Sequence, residues 1–433
     1  MLNSPDSHDL PRRGRHEQVI RASSRTKRDG RLANANASVC SSPRRLRLRL
    51  NSAFAEGISM KDVTSLPDLI IGDLRINPPI IQGGMGVRVS GSRLAAAVSN
   101  EGALGVVASV GTGEEWPDRS LTYAARSYVS LRDMLQKSKS LTPNPIAVNI
   151  MCVLTNYEDL VKAADEEEVA AIISGAGLPL KLPALVKHRS IKLIPIVSSG
   201  RAADLICRSW ARKHNRLPDA LVVEGTLAGG HLGFSMDDVV TPHVPLVSIV
   251  QDVLSVAASY TKEPGIPIPV IAAGGVFNGR DIARFLNLGA SGVQMGTRFV
   301  CTDECDASLQ YKEAYLNCRE EDILVIRSPL KLPLRVIRNE FVDRILSGEK
   351  VTFSCSYRCL ATCEPDKSPY CIAQALVNAY RGDMRAGFAT CGANAYRVDR
   401  IVSVRELIQE LVHECCLHLE PAKQPCTTHA AEP

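Results

Sequence analysis

The sequence predicts a (β/α)8, or TIM, barrel, and three observations carry the prediction. From about residue 70 to 345 a short Val/Ile-rich run alternates with a longer amphipathic stretch; the short runs number eight; and they are apolar throughout instead of at every second position. Strands buried on both faces and separated by helices make a parallel sheet covered on its outer side, and eight such units in roughly 270 residues match a closed barrel. An open doubly wound sheet is the competing class. It requires no count of eight and places a Gly-rich fingerprint after its first strand.

Taken in order, the candidate strands are PIIQ (79–82), ALGVVAS (103–109), PIAVNI (145–150), VAAIIS (169–174), KLIPIVS (192–198), ALVVEG (220–225), IPVIAAGG (268–275) and SGVQMGT (291–297). Helical patterns lie between them, as in 90–102, 156–167 and 279–290. QGGMGV follows the first strand without the G-x-G-x-x-G spacing, so a tight turn lying against a flat ligand is a better reading than a pyrophosphate cradle. Two connections, 110–144 and 226–267, exceed what a simple βα unit needs, and long connections at a barrel rim serve as lids or binding loops.

The net charge of +5 is concentrated at the start of the chain: residues 1–59 hold 12 Lys and Arg against 5 Asp and Glu, leaving 51 − 12 = 39 against 46 − 5 = 41 for the rest. An almost neutral body argues against a nucleic-acid partner. No apolar run approaches the roughly 18 residues of a membrane span. The basic, Ser-rich leader is expected to be disordered; it reads either as an organelle import segment or as an over-long start ahead of Met60, and it lacks the apolar core of a secretory signal. The 14 cysteines, scattered through a large chain, read as reduced thiols in a cytoplasmic protein.

Barrel chemistry sits at the C-terminal ends of the strands, with phosphate sites after strands seven and eight. Those ends read AAGGV and QMGTR. Gly274 and Gly275 let the main chain approach phosphate oxygens, a helix beginning near Asn278 offers its positive end, and Gly296 with Thr297 does the same from the next strand. The other strand ends add Gln82, Asn149, Ser174, Ser198 and Glu224, amides, hydroxyls and a carboxylate suited to the edge of a flavin ring and its ribityl chain; each also reads as a cap or turn former. The loop AGGH after strand six sets His231 beyond two glycines at the rim, where an imidazole can exchange a proton with a substrate.

With PIIQGGMGVRVSG, VEGTLAGGHLGF and VIAAGGVFNGRDIARFLNLGASGVQMGTRFVCTDEC in that order, the chain resembles the nitronate monooxygenase (2-nitropropane dioxygenase) family and its relatives, the FMN-dependent enoyl-acyl carrier protein reductases, over about residues 66–415. The resemblance implies an FMN-binding barrel: Gly84 and Met85 against the isoalloxazine ring, Asn149 and Gly230 on the cofactor, Gly274, Gly275, Gly296 and Thr297 on its phosphate, and His231 as catalytic acid or base. It implies either oxidation of alkyl nitronates with O2 to carbonyl compounds and nitrite, or reduction of a conjugated double bond at the expense of NAD(P)H. AGGHLG stands nearer to the reductase form of the loop than to SGGH. A third reading is a non-catalytic flavin or thiol redox sensor.

After the barrel (60–345), residues 346–416 form a Cys-rich extension with two amphipathic helices near 369–381 and 403–413, followed by a loose tail over 417–433. Cys355, Cys359, Cys363 and Cys371 bring four thiols together at C-x3-C-x3-C-x7-C spacing, able in principle to hold zinc or an iron–sulfur cluster, although tight C-x2-C pairs are missing; reduced thiols or a redox pair is the other reading.

Overall fold

The computed structural model describes residues 66–420 apart from 242–243, 264–265 and 356. The leader expected over 1–59, and residues 421–433 of the expected tail, lie outside the described residues.

An antiparallel hairpin, β1 (Leu69–Ile71) and β2 (Leu74–Ile76), precedes eight parallel strands: β3 (Ile80–Gln82), β4 (Gly105–Ala108), β5 (Ile146–Met151), β6 (Ala171–Gly175), β7 (Lys192–Val197), β8 (Leu221–Glu224), β12 (Val270–Ala273) and β13 (Gly292–Met295). Three short strands, β9 (Gly230–His231), β10 (Thr261–Glu263) and β11 (Ile266–Pro267), occupy the long connection after β8. All eight predicted runs are barrel strands, paired in the order β3-β13-β12-β8-β7-β6-β5-β4. Their residues alternate between two cores. Ile81, Val106, Ala147, Ile173, Ile194, Val222 and Ile271 fill the interior together with the β1–β2 hairpin, while Ile80, Val107, Val148, Ile172, Leu193, Val223 and Val293 face the helices.

The sheet closes between β3 and β4, where pairing is thin. Gln82 N–H donates to Leu104 O at 3.0 Å and Leu104 N–H to Ile80 O at 3.0 Å. Beyond that point the side chain of Gln82 substitutes for a backbone partner: its Oε1 accepts from Val106 N–H at 3.1 Å, and its Nε2 donates to Gly83 O. Gln82 therefore seals the barrel wall, a correction to its expected contact with a cofactor.

The outer helices are α1 (Ser92–Asn100), α2 (Tyr123–Leu141), α3 (Tyr157–Glu166), α4 (Leu182–Leu185), α5 (Gly200–His214), α6 (Met236–Val240), α7 (Leu246–Ala258) and α8 (Gly279–Asn287). Their starts follow local chemistry: Thr122 and Ser199 accept from the third residue of α2 and α5, and Asn278 with Asp281 forms a capping box on α8.

Beyond β13 come α9 (Thr297–Val300), α10 (Leu309–Asn317), the hairpin β14 (Ile323–Arg327) with β15 (Pro333–Ile337), α11 (Glu340–Leu346), α12 (Ile372–Arg381) and α13 (Val404–Cys416). The hairpin reaches back to the barrel rim, where β15 pairs antiparallel with β9. Phe341, Tyr370 and Phe388 form an aromatic knot that ties α11 to the extension, with Phe341 and Tyr370 edge-on at 5.6 Å. Among the described residues no helix is long and apolar enough to cross a membrane.

Candidate functional site

A cavity of about 280 Å³ opens over the C-terminal ends of the strands. Its floor is glycine-rich because chain segments are crowded there. A Cβ on Gly84 would fall 2.3 Å from Asn149 Cβ, so GGMG after β3 lies flat on that side chain. Gly274 and Gly275 hold φ of 91° and 84°, conformations that side chains rarely adopt, and they turn the end of β12 against Ala228 and Leu227. Gly230, at φ 71°, has open space where a Cβ would be.

Around this floor stand few polar groups. Glu224 and Gln294 are both in register with Ala273, from opposite sides, and so reach the rim at one height. Burial pushes the Glu224 carboxyl up to about 7. Gln294 Oε1 and His231 Nε2 are buried without a hydrogen-bond partner. Burial likewise pulls the His231 imidazole down to about 4, leaving the ring neutral at pH 7. Among the described residues, no lysine or arginine lines the cavity.

The roof comes from the last third of the chain. Leu334, Cys359, Leu360, Ile372, Ala373 and Leu376 present apolar surface, and Thr390, Cys391 and Gly392 close the end near Thr297. A Cβ on Gly392 would fall 2.6 Å from Thr297 Oγ1. Tyr311 and Tyr315 both donate to Thr390 O, at 3.4 and 2.6 Å. Asn394 Nδ2 donates to Gly275 O at 2.8 Å, which fastens the roof to the glycine turn.

Of the residues singled out in the sequence, Gly84, Met85, Asn149, Glu224, Gly230, His231, Gly274, Gly275, Gly296 and Thr297 meet on this cavity. Gln82 does not, and neither does Ser174. Ser174 is fully buried, its Oγ donating to Ile150 O at 2.9 Å beside Tyr157 Oη at 3.0 Å, and Gly175 and Ala176 line the wall in its place. Ser198 donates to Gly233 O at 3.3 Å. Sequence reasoning passed over Gln294, although it precedes the Met295–Gly296 turn in the run it quoted, and it passed over the whole roof.

The expected four-thiol metal site is also corrected. Among the described residues no three His, Cys, Asp or Glu side chains converge to hold a metal ion. Burial pushes the Cys359 thiol up to about 12 and raises that of Cys371. Cys359 lines the cavity, Cys371 precedes α12, Cys355 Sγ accepts from Arg358 N–H at 3.4 Å, and Cys363 Sγ lies 3.9 Å from Ser368 Oγ.

The model for nitronate monooxygenases matches residues 68–414. The chain belongs to the nitronate monooxygenase family. It is a flavin-dependent oxidoreductase of that family. It is 31% identical over 303 residues to a probable nitronate monooxygenase of Staphylococcus saprophyticus, covering 64% of this chain and 80% of the relative. It is 28% identical over 378 residues to a Mycobacterium tuberculosis (3aS,4S,5R,7aS)-5-hydroxy-7a-methyl-1-oxo-octahydro-1H-indene-4-carboxyl-CoA dehydrogenase, covering 80% of this chain and 95% of that one. The solved structure of FabK from Thermotoga maritima matches with a TM-score of 0.60 at 30% identity, over 78% of this chain and 92% of that chain. The glycine floor has room for a flat ring; Gln294 Oε1 and His231 Nε2, without partners among the described residues, are free to meet a polar ligand; and the Gly274–Gly275 turn leaves backbone open to an anion.

Proposed function

We propose that the chain binds FMN and oxidises alkyl nitronates with O2 to carbonyl compounds and nitrite. Gly84 and Met85 hold the ring; Asn149, Glu224 and Gln294 meet its edge; Gly230 passes close to it; and Gly274, Gly275, Gly296 and Thr297 take the phosphate. Bound FMN supplies the electron acceptor. The chain's own contribution is to orient the substrate, exclude water beneath the apolar roof and hold a proton at His231.

One observation carries this reading: the neutral His231 imidazole lines a cavity where, among the described residues, its enclosed Nε2 has no partner and no lysine or arginine stands. An anionic nitronate placed beside that ring raises its affinity for a proton, so His231 becomes charged only when the substrate is present. The same proposal includes a cytoplasmic setting, which suits reduced thiols.

A second reading is reduction of a conjugated double bond with NAD(P)H, His231 supplying the proton. It is favoured by AGGHLG and by the near-complete coverage of a carboxyl-CoA dehydrogenase. Mixing the yellow protein anaerobically with propyl-2-nitronate and, separately, with NADH tests both. Bleaching by the nitronate alone is the expected result; fast bleaching by NADH with none by nitronate would overturn the first reading in favour of the second. A colourless protein that takes up no FMN would remove both.

A further inference from the structure

Arg335 is 4% exposed, and among the described residues no carboxylate pairs with it. It sits on β15 in register with Gly230. Its Nη1 donates to Ala228 O, and its own carbonyl accepts from Cys391 N–H at 3.2 Å. Burial lowers the guanidinium's hold on its proton, and among the described residues the neighbouring Cys391 thiol, not a carboxylate, is what partly offsets the effect. A buried cation without a counter-ion is costly, and such a group is retained where an anion arrives to balance it.

What lies on the other side of those contacts is the proposed phosphate end. Ala228 N lies 3.0 Å from where a Cβ on Gly274 would be. Gly229 is pressed against Cys391 and Gly392, and Gly392 against Thr297. The Ala228–Gly229 loop thus has the glycine turn on one face and Arg335 on the other. Among the described residues no lysine or arginine lines the cavity, so a phosphate at this end meets backbone N–H groups and the Thr297 hydroxyl but no charged side chain.

We propose that Arg335 is the counter-charge for the phosphate of the bound flavin, acting through the Ala228–Gly229 loop, and that it makes the protein select a phosphorylated flavin over an unphosphorylated one. The inference rests on the FMN reading above. It assigns Arg335 to binding, not to the reaction.

Titrating apoprotein with FMN and with riboflavin, read by quenching of flavin fluorescence, tests it. Wild type should prefer FMN. Arg335→Met should weaken FMN about 10- to 100-fold while riboflavin binding changes by less than about threefold, the range expected for losing a charge interaction across one loop at a buried site. Arg335→Gln, which keeps a donor for Ala228 O but no charge, should show the same collapse of preference, and Arg335→Lys should restore most of it. Equal weakening of both flavins would reduce Arg335 to a prop for the loop and overturn the proposal, as would an unchanged FMN-to-riboflavin ratio in Arg335→Gln. Wild type that binds riboflavin as tightly as FMN overturns this inference alone; wild type that binds neither overturns the FMN reading with it.

Discussion

His231 and Leu334 face each other across an antiparallel strand pair. The imidazole is therefore carried by a short edge strand of the β14-β15-β9 sheet, not by a free loop, and its position is fixed by main-chain bonds: Leu232 N–H donates to Pro333 O at 3.0 Å. A base on rigid backbone keeps its geometry when its side chain is changed.

His231→Asn should accordingly leave the visible flavin spectrum intact and lower kcat/KM by about 10²- to 10⁴-fold, measured by steady-state turnover. Because the free imidazole is pulled down to about 4, the wild-type kcat/KM profile should stay flat through pH 6.5 and fall only as pH drops toward about 4. An acid limb centred at 6.5 would show that the ring is not desolvated.

Glu224 gives the opposite sign in stability. Its folded-state value is raised to about 7 from 4.5, so the native state holds a proton that the unfolded chain has released, and stability falls as pH rises from about 4.5 to 7. Glu224→Gln should be close to wild type at pH 4.5 and more stable by about 1 to 3 kcal/mol at pH 8.5, the upper end discounted for the residue's partial exposure. Urea midpoints of the apoproteins at the two pH values measure the gap.

Gly84→Ala adds a methyl group 2.3 Å from Asn149 Cβ, closer than side-chain carbons approach, so the Asn149 side chain or the floor itself must shift. Equilibrium dialysis should show FMN affinity reduced by at least about tenfold, since a shift of one ångström in a preorganised site is felt at that scale. Gly230→Ala meets no atom within 4 Å but is held at φ 71°, so its cost should be one of backbone strain, about 1 to 2 kcal/mol in thermal unfolding, with FMN affinity less affected.

Phe388 is fully buried between Phe341 and Tyr370. Phe388→Ala should cost about 3 to 5 kcal/mol in denaturant unfolding. If the knot tethers the roof, limited proteolysis should then cut first within 346–372, before the barrel is attacked.

The barrel was readable in the sequence because parallel strands covered on both sides are uninterrupted apolar runs, and the glycine turns at 83–86, 274–275 and 296 announced a close approach of backbone to something. Two glutamines at strand ends show where such reading stops. Gln82 and Gln294 look alike in sequence, yet one stands at the seam and fills its missing hydrogen bond while the other lines the cavity, its buried oxygen without a hydrogen-bond partner among the described residues. Only strand register separates them: Gln294 is level with Glu224 across Ala273, whereas Gln82 pairs with Met295, one step higher. The roof and Arg335 were invisible for a related reason. Leu360 comes to the site through its bridge to Leu154, and Leu334 and Arg335 through the pairing of β15 with β9, contacts between distant segments that leave no local periodicity.

That pairing divides the labour of the molecule along the chain. Residues up to Thr297 supply the glycine floor and His231, and the segment from β14 onward supplies most of the roof over them. Under the proposed function, transplanting that later segment between two relatives, together with the β9 edge it grips, would carry substrate selectivity along with it while the floor stays in place.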